Sequence, residues 1–164
     1  NSSSGLNHEK QMSRYKIQNQ EGIYFVTLTI VDWVDIFIRK RYKDIIVESL
    51  DYCQRKKGLT VFAYVIMSSH LHLIVKAEVG LRLSDILRDF KKFTAQRILN
   101  EIEKGGYESR RAWLLHRFAF RGKEQSNRQY QFWQPDNHPI VFITYRSLHK
   151  KLITFISIRL KKVG

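Results

Sequence analysis

Cysteine is almost missing from this chain: Cys53 stands alone among 164 residues. A single thiol excludes an internal disulfide framework and a zinc site built on cysteines. Its place in an apolar helical pattern marks it as a core thiol rather than a nucleophile. Long apolar runs are missing too. None reaches the roughly 20 residues that a membrane-spanning helix needs, so no membrane partner is expected and the reading is a soluble, cytoplasmic protein. No secretory leader is read either. Residues 1–11 are polar and Ser-rich and Met12 reads as the native start, so 1–11 are expected to be a tag or a disordered terminus. No linker or internal repeat interrupts the remainder, and 12–164 is read as one domain with a real core. Acid is the last scarcity: 15 Asp and Glu face 29 Lys and Arg, a formal charge of +14. With 43% hydrophobic and 13% aromatic residues, this is no disordered basic tail. On a folded domain such an excess points to a polyanion partner, nucleic acid first.

The periodicities give an order of elements. Residues 23–31 are β-branched and aromatic throughout and predict a strand buried on both faces. Tyr42, Ile45, Ile46, Leu50 and Cys53 recur at helical spacing over 40–57, with Gly58 as the stop. Strands follow over 59–67 and 71–77, joined so tightly that a hairpin is expected. A helix is predicted from about 83 to 103, with Ser84 as N-cap and Leu83, Ile86, Leu87, Phe90, Phe93, Ile98 and Ile102 as its apolar stripe. A shorter helix covers 108–120, a polar loop 121–129, and extended segments 130–133 and 138–143. The stretch 146–163 fits helix or strand. The order β-α-β-β-α predicts an α+β, ferredoxin-like sandwich: an antiparallel sheet with helices on one face.

His70 and His72 flank one apolar residue at the start of the third strand. Side chains at i and i+2 of a strand share a face, so both imidazoles can converge on one ion while Leu71 points into the core. Two neutral imidazoles suit Mn²⁺, Zn²⁺ or Ni²⁺ better than Mg²⁺. The plain alternative is a pair of hydrogen-bonded histidines at a strand edge.

The run F-A-Y-V-I-M-S-S-H-L-H-L-I-V over 62–75 resembles the HUH motif of the single-strand-specific tyrosine transposases, in particular the REP-associated branch. G-I-Y-F-V-T-L-T-I-V-D-W-V-D-I-F (22–37) is similar to that branch's first strand. L-R-D-F-K-K-F-T-A-Q-R-I (87–98) is similar to its helix after the HUH strand, and W-Q-P-D-N-H-P-I (133–140) to its approach to the catalytic helix. The likeness covers roughly 12–152. Ser69 departs from it, standing where the family usually has Asn. The resemblance implies cleavage and joining of single-stranded, hairpin-bearing DNA ends. A divalent metal, Mg²⁺ or Mn²⁺, would be held by His70 and His72, a tyrosine would attack to give a 5′-phosphotyrosine, and a homodimer is possible. It also implies that His138, which matches a family histidine, lines the site as a third ligand or a phosphate contact.

The family's tyrosine lies in a Tyr-Ile-His-x-Asn-Pro-Val motif that this chain lacks. Thr154 occupies the tyrosine position and Ile158 that of the asparagine; a one-residue shift brings in Phe155 instead. Yet residues 149–164, written in permissible codons and read from the third base of the His149 codon, encode Gln-Lys-Ile-Asn-Tyr-Ile-His-Phe-Asn-Pro-Val-Lys-Lys-Gly-Trp. No acidic residue follows Asp136, which also suits an out-of-frame tail. The expectation is a frame slip between about 141 and 149 that removes the nucleophile. The competing expectation is a divergent enzyme using another tyrosine, Tyr145 being the nearest.

For the phosphate-contacting face, the cations singled out are Lys91, Lys92, Arg97, Arg110, Arg111, Arg117, Arg121 and Lys123. Gln96 and Asn100 share the helix with the first three and are within possible reach of the site. Trp113, Phe132 and Trp133 offer rings for unpaired bases. Helical spacing assigns Trp113 to the core and leaves Trp133 as the expected stacking residue.

Overall fold

The computed structural model describes residues 16–141. Strand β1 (Tyr24–Thr29) is not buried on both faces as expected: Tyr24, Val26 and Leu28 are buried, while Phe25 and Thr27 turn to the other face and are half-buried, because no helix among the described residues covers that side. Helix α1 (Lys40–Lys56) buries Tyr42, Ile45, Ile46, Ser49, Leu50 and Cys53 along one stripe. It ends at Gly58, whose φ of +66° is left-handed and where a Cβ would sit 2.4 Å from Leu81 Cδ1. The left-handed φ favours glycine there. Strands β2 (Leu59–Ile66) and β3 (His70–Ala77) form the expected hairpin.

Helix α2 (Leu83–Lys104) begins differently from expectation. Arg82 holds the N-cap position without a side-chain bond, and Ser84 lies inside the first turn. Its N–H and its hydroxyl both donate to Gln20 Oε1 at 3.0 Å. A residue distant in sequence thus satisfies the orphan donor that a local cap usually takes. The stripe also differs by one position: Phe93 is 49% exposed and Thr94 is buried in its place. Thr94 tolerates burial because its hydroxyl donates to Phe90 O at 2.8 Å and accepts from Trp133 Nε1 at 3.1 Å.

Helix α3 (Arg111–Ser126) starts later than expected and runs through most of the stretch predicted to be a polar loop. The loop reading rested on the polar composition of 121–129. Gly122 is buried instead because the chain returns across it: Arg128 N–H donates to Gly122 O at 2.9 Å, and a Cβ would lie 2.5 Å from Arg128 O. Asn127, with φ +49°, ends the helix in the left-handed region. Strand β4 (Ile140–Val141) pairs with β1, and Trp133 makes an isolated bridge to Ile30.

The sheet order is β2-β3-β1-β4, and every neighbouring pair is antiparallel. This is the predicted ferredoxin-like α+β arrangement. Helices α1 and α2 pack on the face carrying Leu28, Leu71, Leu73 and Val75. The opposite face carries Phe25, Thr27, Thr29, His70 and His72, which the register sets side by side. No helix among the described residues is long and apolar enough to cross a membrane.

Candidate metal and nucleic-acid site

Register builds the site. β1 and β3 pair Thr29 with His70 and Thr27 with His72, so two hydroxyls and two imidazoles share one patch of the sheet face away from the helices. The imidazole centroids are 4.7 Å apart and nearly perpendicular at 76°. Leu71 between them is fully buried, as its place demands. Thr27 Oγ1 lies 3.0 Å from His72 Nδ1, and Ser69 Oγ 3.3 Å from His70 Nδ1. A neutral imidazole offers a metal only the nitrogen without the proton. For His72 to present Nε2, Nδ1 must carry the proton, and Thr27 is placed to accept it. Ser69, the family departure, occupies the equivalent place beside His70. Rings brace the pair: Phe25 stacks on His72 at 5.2 Å, and the Trp33 edge meets His70 at 5.5 Å.

The Asn137 carbonyl accepts Thr27 N–H at 2.9 Å, so the His138 segment runs along the far side of β1, with that strand between it and β3. His138 turns through a left-handed φ of +39° and its Nδ1 lies 3.7 Å from Asp136 Oδ2. Among the described residues no three His, Cys, Asp or Glu side chains gather into a metal-ligand group. The structure brings His70 and His72 together without His138. Tyr145, and with it the tail in which the nucleophile was sought, lies outside the described residues.

The expected phosphate-contacting cations divide sharply. Lys91 is not a surface contact. Its Nζ donates to Gln134 O at 2.7 Å, Pro135 O at 3.2 Å and Asn137 Oδ1 at 2.7 Å, tying the turn after Trp133 to α2. Burial pulls its pKa down to about 8, against the attraction of Asp136. Arg97 pairs with Glu48 at 3.0 Å. Arg110 pairs with Asp35 at 2.6 Å and with buried Glu108 at 3.4 Å. Lys92, Arg111 and Lys123 remain exposed with no carboxylate partner among the described residues. Lys92, Gln96, Arg97 and Asn100 ride on α2, across the sheet from the histidines. A helix pattern shows that they are exposed but not which side of the sheet they occupy.

The tryptophans exchange roles. Trp133 is only 5% exposed, packed against Phe37 and Phe132 with its indole N–H on Thr94. Its side chain is core, not a base platform. Trp113 is 48% exposed, with the Arg117 guanidinium 5.9 Å from its ring. Its helical spacing placed it on a stripe whose buried members are Leu114 and Phe118. The exposed ring beside the histidines is Trp33, which sequence reasoning passed over, along with Thr27. The alternation Phe25-Thr27-Thr29 gave those residues a common face, but only the β1–β3 register puts that face against His70 and His72.

Between β1 and α1 the chain makes a strained turn. Asp32 (φ +54°) and Trp33 (φ +55°) are consecutive non-glycine residues in the left-handed region, at a cost of about 1–3 kcal/mol each. Arg121 holds the turn: its Nε lies 2.8 and 2.9 Å from the two Asp32 oxygens and its Nη2 also reaches Oδ1. Arg117 adds a contact at 3.5 Å. The Arg121 hydrogen bond, opposed by partial burial, holds the Asp32 carboxyl below the usual carboxylate range.

A family model described as transposase, IS200-like, matches residues 25–135. The chain belongs to the IS200-like transposase family. The match spans β1 through Pro135 and so includes the histidine pair. Among solved structures, a REP-associated tyrosine transposase bound to a REP hairpin is similar at TM-score 0.59 and 16% identity, over 93% of this chain and 75% of that one. At that identity the likeness speaks for the fold. A candidate transposase from Deinococcus radiodurans is similar at TM-score 0.46 and 12% identity, over 87% of this chain and 94% of that one. Among curated proteins no sequence matches. Within this transposase family fold, β1 and β3 supply the described site, and any contribution from beyond Val141 would be added to it.

Proposed function

We propose that this IS200-like transposase binds single-stranded, hairpin-bearing DNA at the open face of its sheet, with His70 and His72 holding a divalent metal at the scissile phosphate. The observation that carries the reading is the pair itself: two imidazoles 4.7 Å apart, each with a hydroxyl at Nδ1. The donor set fits a divalent transition ion such as Mn²⁺ better than Mg²⁺. Such an ion, when bound, supplies Lewis-acid polarisation of a phosphate oxygen. The chain's own part is orientation. Thr27 and Ser69 fix the two rings, Leu71 anchors the strand between them, and Phe25 and Trp33 wall the patch. Transfer would proceed through a tyrosine: its oxygen attacks phosphorus, the 3′-oxygen of the preceding nucleotide leaves, and the strand stays joined as a 5′-phosphotyrosine that a second 3′-hydroxyl resolves. The exchange of one phosphoester for another needs no external energy source. His138 belongs to this proposal as a phosphate contact rather than a ligand of the pair.

A second reading is favoured by one specific observation, Thr154 in place of the motif tyrosine: a DNA-binding module that keeps the fold and has lost the covalent step. Incubation with hairpin DNA and Mn²⁺ followed by denaturation separates the two. A denaturation-resistant adduct that disappears in Tyr145→Phe establishes the enzyme; binding without adduct establishes the module. Absence of binding to single-stranded DNA overturns both.

A further inference from the structure

Trp33 is the most exposed tryptophan described, at 61%, and it is held in that position at a cost. Its backbone and that of Asp32 occupy the left-handed region, which side chains other than glycine rarely adopt. The turn is fixed from both ends and from the side. Val31 N–H donates to Phe132 O at 2.9 Å and Trp33 N–H to Ile30 O at 3.0 Å, while Val31 and Val34 on either side are buried. Arg121 clamps Asp32 laterally. A chain seeking only stability would bury the indole or relax the turn. This one presents an aromatic plane to solvent, with its ring centroid 5.5 Å from that of His70.

Resting on the DNA reading above, we infer that Trp33 is the platform on which one unpaired base stacks, next to the phosphate that the histidine pair addresses. A strand with its phosphate at His70 and His72 has its neighbouring base within reach of an indole already touching His70, and an exposed aromatic face is what single-strand binders offer to bases of any identity. Asp32 and Arg121 are positioning residues: they set the direction of the indole and touch no DNA themselves. The occupant is an unpaired nucleobase rather than an apolar protein segment. The patch is a single ring beside His70, next in sequence to an Asp32 on which Arg117 and Arg121 converge, on a chain of charge +14, and that charge suits a polyanion.

The test uses the full chain and two probes, a DNA hairpin with a single-stranded flank and the same hairpin with blunt ends, read by fluorescence anisotropy. Trp33→Ala is expected to weaken binding to the flanked hairpin about tenfold, within the range for one base stacked on an aromatic ring, and to leave the blunt hairpin unchanged. Trp33→Phe retains most of the affinity. In parallel, an abasic unit is moved along the flank with the unaltered chain. One position is expected to lose as much as Trp33→Ala does, with no further loss when the two changes are combined. Equal affinity of Trp33→Ala and the unaltered chain for the flanked hairpin, an equal loss on both probes, or no sensitive position in the abasic series overturns the inference and leaves the DNA reading standing. Failure of the unaltered chain to bind the flanked hairpin overturns the DNA reading itself.

Discussion

Thr27→Val isolates the group that orients His72. Valine keeps the branched shape that suits β1 and removes only the hydroxyl, which lies 3.0 Å from His72 Nδ1. Without that acceptor the contact that favours a proton on Nδ1 is lost, and in the other tautomer, with the proton on Nε2, that nitrogen cannot ligate. Removing a hydrogen-bond partner of a metal-ligating histidine weakens metal binding by about 10- to 100-fold, or roughly 1.4–2.7 kcal/mol. The fold loses less, about 1 kcal/mol for one hydrogen bond at a half-buried position. Mn²⁺ titration by calorimetry should therefore show Thr27→Val binding 10- to 100-fold more weakly, Thr27→Ser close to the unaltered chain, and His72→Ala without measurable binding. The refuting result is specific: Thr27→Val equal to the unaltered chain while His72→Ala has lost the metal. In that case His72 is a ligand whose tautomer is set by something other than Thr27.

Trp133→Ala should cost about 3–5 kcal/mol in urea denaturation, because it empties a site between Phe37 and Phe132 and strips Thr94 of its indole donor; a loss under 1 kcal/mol would place the indole outside the core. Burial holds Lys91 at about 8, below its unfolded value of 10.5, so between those pH values the unfolded chain binds more protons and stability from this group rises with pH. Below pH 8 that gain is absent. Denaturation at pH 7.5, 8.5 and 9.5 should accordingly show the unaltered chain gaining on Lys91→Met with each step, and a constant difference would refute the assignment. For the tail, replacing residues 149–163 by the sequence of the neighbouring frame should create a denaturation-resistant DNA adduct that His70→Ala abolishes. The gene itself should carry that frame, as sequencing codons 141–164 will show.

The fold was legible because it rests on short-range signals. A run of β-branched and aromatic residues marked β1, helical spacing marked α1 and α2, and Gly58 marked a stop that its left-handed φ explains. The order of those elements leaves few ways to close a sheet. His70 and His72 were legible for the same reason, since period two puts them on one face before any partner is known. What failed depended on contacts distant in sequence. Ser84 looked like a cap until Gln20 took its donors. The polar run 121–129 looked like a loop until the chain returned across Gly122. Trp133 looked available because a short extended segment says nothing of the Phe37 and Phe132 rings that enclose it. The cations failed in the same way. Composition counts Lys91, Arg97, Arg110 and Arg121 as surplus charge, yet the fold commits them to carbonyls and carboxylates.

These commitments separate two halves of the proposed chemistry. In the metal-orienting half of that proposal, the described contacts lie on β1, at the start of β3 and in the turn at Asp32: Thr27 and Ser69 on the rings, Trp33 beside His70, Arg121 on Asp32. A nucleophile supplied by the tail is the other half, and a frame slip after about 141 removes it. The charge that first pointed to nucleic acid says little about which half is present: six Lys and Arg follow Asp136, while Arg117 and Arg121 are already paired with Asp32. The geometry around His70, rather than the net charge, decides how DNA is engaged.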